Sequence, residues 1–467
     1  MSSSSKSALS ALGRRSDAPP ITWLMILALS RPKLISLAAG FTDQETLPNT
    51  ETLAILTELL SDPKRGKAAL QYGTTQGDPA LRALTSRRLL QQDIAAAGEI
   101  AAGTCCSMAE TPGQGTGPTS AAAVGRVPSP GVRTSAMGCY APERMILTHG
   151  SQQLLYLTCE ALCDEGDIVL VEDPTYFVFL GIAQSRAIDC RGVKLDPDGI
   201  DLDSLEAQLE RLKKSGEIKR LKFLYLVSYY QNPSSVTTSR AKKAAALKLL
   251  RRYERAAGHP IYLLEDAAYR ELRFEGDDVP SLLAEPGAAE RVIYAGTYSK
   301  PFATGIRVGF GLMPEALQTV CLRLKGNHDF GTANLLQQIV ARGIQSGIYE
   351  KHVAMLRKRY AAKAEVMVRA LEEHLPPSCS WLNPRGGLYV WTALPKRAKA
   401  GQKGRFFQAA LAAEVLYVPG EVCYAEDESR RRPAHEMRLT FGGASEDAIR
   451  EGVRRLGKAV SKFYGKS

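Results

Sequence analysis

Long apolar runs are missing from this chain of 467 residues. The longest candidate, Ile21 to Ser30, is too short to span a bilayer, which excludes a membrane-spanning protein. It follows Arg14-Arg15, as a secretory leader would, but Pro19-Pro20 stands at its entrance. An N-terminal amphipathic helix docked on the folded body is the expectation. Metal-ligand spacing is missing too. The nine cysteines are scattered, with Cys105-Cys106 adjacent and Cys159 and Cys163 one helical turn apart without a matching pair of histidines. We therefore expect reduced thiols in a cytoplasmic protein, and no metal. No internal repeat is evident, and charge is not concentrated in one segment. The net +11 is spread over groups such as Arg14-Arg15, Arg251-Arg252 and Arg430-Arg431-Arg432. These read as solvated helix faces, so nucleic acid is not an expected partner; a basic balance also suits phosphate and carboxylate ligands. With 45% apolar and 23% charged residues the composition is that of a folded globular protein, long enough for two domains.

The organisation follows from shifts in pattern. Residues 1–15 are rich in Ser, Ala, Lys and Arg and are expected to form a disordered tail, followed by an arm or lid helix over 16–35. From 95 to 138 large apolar residues almost vanish in favour of Ala, Gly, Ser, Thr and Pro. Such a segment buries too little surface to offset its ordering entropy and reads as a low-complexity surface insertion. Around it, strand-length apolar runs (Ile168–Val171, Phe223–Val227, Ile261–Leu264, Val292–Ala295) alternate with helical patterns such as Leu154–Leu162 and Ser239–Ala256. This is the signature of a mostly parallel sheet flanked by helices, an α/β large domain over 36–335. Beyond about 335 a long helix over Lys351–Leu375, short strands near Gly387–Thr392 and Met437–Phe441, and a closing helix from Ser445 predict a small α+β domain over 336–467.

Ligands of parallel sheets collect at the carboxyl ends of the strands, so residues just past each apolar run carry the functional argument. Asp266 stands where Ile261–Leu264 stops; an acid there can pair a protonated ring nitrogen, although such an Asp is more often a turn former. Lys300 ends Tyr294-Ala295-Gly296-Thr297-Tyr298-Ser299-Lys300, ahead of Gly305-Ile306-Arg307-Val308-Gly309. A lysine desolvated at a strand end has a lowered pKa and becomes a competent imine-forming amine, and the nearby hydroxyls and Arg307 are phosphate ligands by type. Thr148-His149-Gly150-Ser151-Gln152-Gln153 opens a helix, where backbone N–H groups suit a phosphate, unless Ser151 is a simple N-cap.

Taken together these motifs resemble the fold-type I, class I/II aminotransferases that use pyridoxal 5′-phosphate. The resemblance covers roughly residues 34–460 outside the insertion. It is closest to the branch containing 2-aminoadipate and kynurenine aminotransferases and the aminotransferase half of MocR-type regulators. It implies a seven-stranded large-domain sheet and an amino transfer between an L-amino acid and a 2-oxo acid by ping-pong exchange, in amino-acid metabolism. Lys300 would hold the cofactor as a Schiff base, Asp266 would pair its ring nitrogen, and Tyr269 with Asn232 would bond its ring oxygen. Thr297, Ser299 and Arg307 would bind the phosphate with Ser151 and Gln152, and Tyr176 would stack on the ring. Gln71-Tyr72-Gly73 resembles the segment whose Tyr reaches the neighbouring subunit's phosphate, implying a homodimer with shared sites. Arg438, in Glu436-Met437-Arg438-Leu439-Thr440-Phe441, would grip the substrate α-carboxylate, with Asn232 and Gly40 beside it. Gly386-Gly387-Leu388-Tyr389-Val390-Trp391 matches a further landmark and reads as structural.

Two departures matter. Asn232-Pro233-Ser234-Ser235 replaces the family's usual Asn-Pro-Thr-Gly turn. Counting back from Leu34–Gly40, which aligns with the substrate-lid segment, Trp23 falls where aminoadipate-using members tend to carry an Arg. Trp23, with Leu24 and Met25, therefore predicts aromatic or branched aliphatic substrates. Three rival readings stand beside amino transfer: a lyase or decarboxylase on the same fold, a MocR-like sensor, for whose DNA-binding module the segment before residue 34 is too short, and a cofactor-binding pseudoenzyme.

Overall fold

The computed structural model describes residues 8–98, 137–427 and 430–464. The expected insertion, 95–138, therefore lies almost wholly outside the described residues, apart from Ala95–Ala97, which complete the helix Pro79–Ala97, with Gly98 after it, and Met137 and Gly138 at the far end. The chain enters through a helix at Ala11–Arg15, capped by Ser10 and tied by Arg15 to Glu165. Of the tail expected over 1–15, residues 1–7 lie outside the described residues; at 11–15 a serine cap and one ion pair accompany a turn of helix. The arm is the helix Pro20–Ser30. It docks through Leu24 but is apolar nearly all round, leaving Ile26 and Leu29 exposed, so it is not the amphipathic helix expected.

Strand β1 (Ile35–Ser36) comes next. The large sheet is built from β2 (Met145–Thr148), β3 (Ile168–Asp173), β4 (Asp189–Asp196), β5 (Gly199–Ile200), β6 (Leu221–Val227), β7 (Tyr262–Asp266), β8 (Val292–Thr297) and β9 (Gly309–Leu312) in the order β2-β9-β8-β7-β6-β3-β4-β5. Pairing is parallel from β4 through β3, β6 and β7 to β8, and antiparallel at β9, β2 and β5. The sheet thus has eight strands rather than seven. The extra one is a two-residue return after Asp196-Pro197-Asp198-Gly199, with Gly199 at φ +119, where a Cβ would overlap Thr238. Central strands such as β6 and β8 are buried on both faces, which explains their unbroken apolar runs.

The C-terminal portion holds β10 (Ser380–Trp381), β11 (Tyr389–Ala393), β12 (Val415–Leu416), β13 (Val418–Pro419) and β14 (Glu436–Thr440), with an antiparallel sheet ordered β10-β11-β14-β13. The helices Ile348–His374 and Glu446–Tyr464 pack beside it. Strand β1 pairs with β12, and the Leu37 carbonyl accepts from Thr440 N–H. Residues 35–37, expected at the edge of the large domain, are therefore stitched into the small one, and this delivers Gly40 to the cleft between them.

Candidate active site

A cavity of about 300 Å³ opens at the carboxyl ends of β6, β7 and β8, roofed by β11, β14 and the arm. The register Val227↔Asp266↔Ala295 sets Asp266 at its floor. Its carboxylate accepts from Tyr225 Oη at 2.9 Å and Ala268 N at 3.1 Å. Burial pushes the group up to about 6 against these two bonds. Two strands over, on β3, Glu172 is fully buried and ties the ends of β3 and β6 together, its Oε2 accepting from Val227 N at 2.8 Å and Gln231 Nε2 at 2.5 Å. Its other oxygen has no hydrogen-bond partner, and burial raises its pKa to about 8.

One end of the cavity is a cup for an anion. The helix Gly150–Leu162 points its first turn at it, with Gly150 at φ +71. A Cβ on Gly150 would come within 2.6 Å of Arg307 Nη2, so glycine there lets the helix end and the guanidinium share one space. Arg307 donates to Ser299 Oγ at 3.2 Å and to the His149 carbonyl at 3.4 Å, and Thr297 Oγ1 accepts from Ser299 N. The residue before the helix is His149, and Ser151 lies inside the first turn, which removes the N-cap reading of Ser151. Ser151, Gln152, Thr297, Ser299 and Arg307 all line the cavity.

Lys300 extends from the turn after β8 and donates from Nζ to the Gly40 carbonyl at 3.0 Å. Removal from bulk water holds its amine below the ordinary lysine value; Arg438 and Arg307 add to this, and Tyr389 opposes it. Arg438 is buried at 1% exposure, donating to Asn232 Oδ1 at 2.7 Å and the Ala38 carbonyl at 2.5 Å. Its Nε has no hydrogen-bond partner, and no carboxylate lies within ion-pair distance among the described residues. Tyr176, Tyr269, Asn232 and Gly40 also line the cavity.

Two expected residues stand elsewhere. Trp23 does not line the cavity: it packs edge-on against Phe407, 5.8 Å between ring centroids, because the helix phase turns Ile21 and Met25 inward instead. Tyr72 is 82% exposed against Phe330 and is not in the cavity of its own chain. Conversely, Tyr389, Phe41, Phe177, Ile21 and Met25 line the cavity without having been singled out, except Met25 as part of the arm. Apolar side chains give no signal of their own, and Tyr389 was hidden in a segment with a structural explanation.

Among solved structures, the chain is similar to LysN, an α-aminoadipate aminotransferase from Thermus thermophilus complexed with N-(5′-phosphopyridoxyl)-L-leucine. The TM-score is 0.76 at 28% identity, covering 98% of this chain and 99% of that one. The fold and the site define a fold-type I pyridoxal phosphate enzyme. Residues 134–456 match the family model of class I and II aminotransferases. The chain is 30% identical to aromatic-amino-acid aminotransferase 1 of Thermococcus litoralis, over 92% of this chain and 88% of that one. It is 31% identical to the 2-aminoadipate transaminase of Thermus thermophilus, over 92% and 91%. The chain belongs to the class I and II aminotransferase family, and its activity is pyridoxal phosphate-dependent amino transfer. The donor set fits the cofactor: a cationic cup at a helix N-terminus faces one end of the cavity, and a buried carboxylate stands on the floor. Among the described residues no helix is long and apolar enough to cross a membrane.

Proposed function

We propose that the enzyme exchanges amino groups between L-amino acids with aromatic or branched aliphatic side chains and 2-oxo acids, by ping-pong turnover. The observation that carries this reading is Arg438: a buried guanidinium with an unpartnered Nε and no ion-pair carboxylate, held in an otherwise apolar wall of Ile21, Met25, Phe41, Phe177 and Val178. An unpaired buried cation is costly, and a substrate α-carboxylate is the anion that fits it. The lining cations are Lys300, Arg307 and Arg438. With Arg307 in the phosphate cup and Arg438 on the α-carboxylate, no further guanidinium lines the cavity among the described residues for a second, side-chain carboxylate. Trp23 no longer supports the preference; Ile21 and Met25, one turn apart on the same helix, take its place. The leucine adduct captured in the Thermus relative and the aromatic substrates named for the Thermococcus one agree with it.

Bound pyridoxal phosphate supplies an electron sink for the bonds at the substrate Cα. Ser151, Gln152, Thr297, Ser299 and Arg307 would hold its phosphate, Asp266 would keep a negative charge at its ring nitrogen, and Asn232 and Tyr269 would bond its ring oxygen, with Tyr176 against its face. Lys300 is the attachment point. Its amine, held below the ordinary lysine value by burial, would accept the proton from the substrate Cα and return it during the exchange. Arg438 and Gly40 fix the carboxylate so that the Cα–H bond is presented to that amine. A donor panel read by bleaching of the visible band of the lysine-bound cofactor tests the reading. Aromatic and branched donors should bleach it fastest, whereas a strong preference for glutamate or 2-aminoadipate overturns the substrate class.

The working unit in this reading is a homodimer, with Tyr72 serving the phosphate cup of the partner subunit. Its exposure against Phe330 supports this, as does its not lining the cavity of its own chain. Mixing inactive Tyr72→Ala and Lys300→Ala chains should restore activity through hybrid dimers; no recovery sinks the shared site. The seven described cysteines, all buried and free, suit the reducing cytoplasm.

A further inference from the structure

Tyr389 sits where three functional side chains meet. The antiparallel register of β11 and β14 pairs Tyr389 with Thr440 and Trp391 with Arg438, so the tyrosine and the arginine come from adjacent strands. The phenol is buried, and its ring lies under the guanidinium, with Arg438 Cζ 4.4 Å from the centroid. Its hydroxyl is 2.9 Å from the Tyr269 hydroxyl, the two rings meeting edge to face. A Cβ on Gly40 would come within 2.6 Å of the same hydroxyl, and the Gly40 carbonyl is the acceptor for Lys300 Nζ. Ser235 Oγ donates to the Tyr389 backbone carbonyl and anchors the strand to the Asn232 loop. Gly40 leaves room for the hydroxyl, while the Asn232 loop and the neighbouring strand hold the backbone of Tyr389.

We propose that Tyr389 is a positioning residue for the amine chemistry. Its hydroxyl donates to Tyr269 and orients the Tyr269 proton into the cavity, while its ring supports Arg438. The inference rests on Tyr269 and Lys300 being partners of the cofactor. Two hydroxyls that share one hydrogen bond divide the roles of donor and acceptor. When Tyr269 donates into the cavity, the only hydrogen left for the bond between the phenols is that of Tyr389. A chain of two donors strengthens the terminal one. A phenylalanine would serve the ring contact equally well, so the hydroxyl and the ring have separable consequences.

Tyr389→Phe in the cofactor-loaded enzyme removes the hydroxyl and keeps the ring. Weakening Tyr269 as a donor leaves more negative charge on the ring oxygen, which favours the protonated form of the lysine-linked nitrogen. The pH midpoint of the visible band should rise by ~0.5, and kcat should fall ~3- to 10-fold, the size of one neutral hydrogen bond. KM for the amino acid should stay within ~2-fold. Tyr389→Leu, which also removes the ring, should raise KM ~10-fold through loss of the cation–π contact. In a Tyr269→Phe background, Tyr389→Phe should leave the midpoint unmoved, because its action passes through Tyr269. A midpoint and kcat unchanged by Tyr389→Phe, or an equal shift with and without Tyr269, overturns the proposal. Failure of the underlying reading looks different: the visible band would then survive in Lys300→Ala, whatever stands at 389.

Discussion

Replacing Arg438 by Met separates binding of the substrate carboxylate from every other role of the site. Methionine keeps most of the length of the side chain in a wall that is otherwise apolar, and removes the guanidinium. The arginine spends one N–H on Asn232 Oδ1 and one on the Ala38 carbonyl, leaving further donors, including the unpartnered Nε, in a buried setting. A charge-assisted hydrogen bond is worth about 1.5–3 kcal/mol, so a two-pronged carboxylate contact is worth about 3–6 kcal/mol. The corresponding loss in kcat/KM is about 10²- to 10⁴-fold. Loss of the bonds to Asn232 and Ala38 would harm any substrate, so the assay compares an amino acid with the amine that has the same side chain and no carboxylate. Single-turnover bleaching of the cofactor band is read for each. The amino acid should lose its advantage over the amine in the variant, beyond whatever loss the two substrates share. Equal losses for both would show that Arg438 is scaffold and not a carboxylate anchor.

Glu172→Gln should reverse its effect on stability with pH. Because the folded pKa of Glu172 is raised to about 8 from 4.5, its favourable contribution is complete below 4.5 and is lost as pH rises through about 8. The cofactor-free variant should be less stable than wild type near pH 4, where its new amide N–H lacks a partner, and more stable by about 2–4 kcal/mol at pH 8.5. Parallel denaturant curves at the two pH values would refute the raised pKa. Gly150→Ala forces a methyl within 2.6 Å of Arg307 Nη2 at φ +71 and should weaken cofactor binding at least ~10-fold, measured by titrating cofactor into the stripped protein. Unchanged affinity would mean that the cup is not the phosphate site. Met25→Arg supplies the missing side-chain cation and should shift donor preference toward acidic amino acids by ~10-fold or more in relative kcat/KM. An unaltered ranking would place the substrate side chain elsewhere.

Legibility differed by kind of residue. Asp266 and Lys300 stood out because each is a polar side chain at the end of an apolar run, where burial on both faces forces continuity and makes the first polar residues conspicuous; Arg307 stood out by its type near Lys300, and Asn232 and Tyr269 only through the family resemblance. The cavity walls could not. Ile21 and Trp23 are both large, apolar and two positions apart in one short helix, so composition does not say which one turns inward. Only docking against Phe407 fixes the phase. Tyr389 carried an adequate structural explanation, and its hydroxyl acquired significance from Tyr269, 120 residues earlier in the chain. Glu172 was hidden within a strand, and nothing local distinguishes a hub for two strand ends from a solvent-facing acid.

By itself, then, the sequence determined the α/β architecture, because strand burial is a local property of the chain, and its resemblance to a known family pointed to the cofactor chemistry and to candidate polar groups for it. The tertiary structure alone decided which side chains wall the cavity, that Leu37 is stitched to the C-terminal sheet and carries Gly40 to Lys300, and that Arg438 is a buried cation with no ion-pair carboxylate among the described residues. Those are properties of surfaces brought together from distant segments, and no local pattern encodes the distance between them.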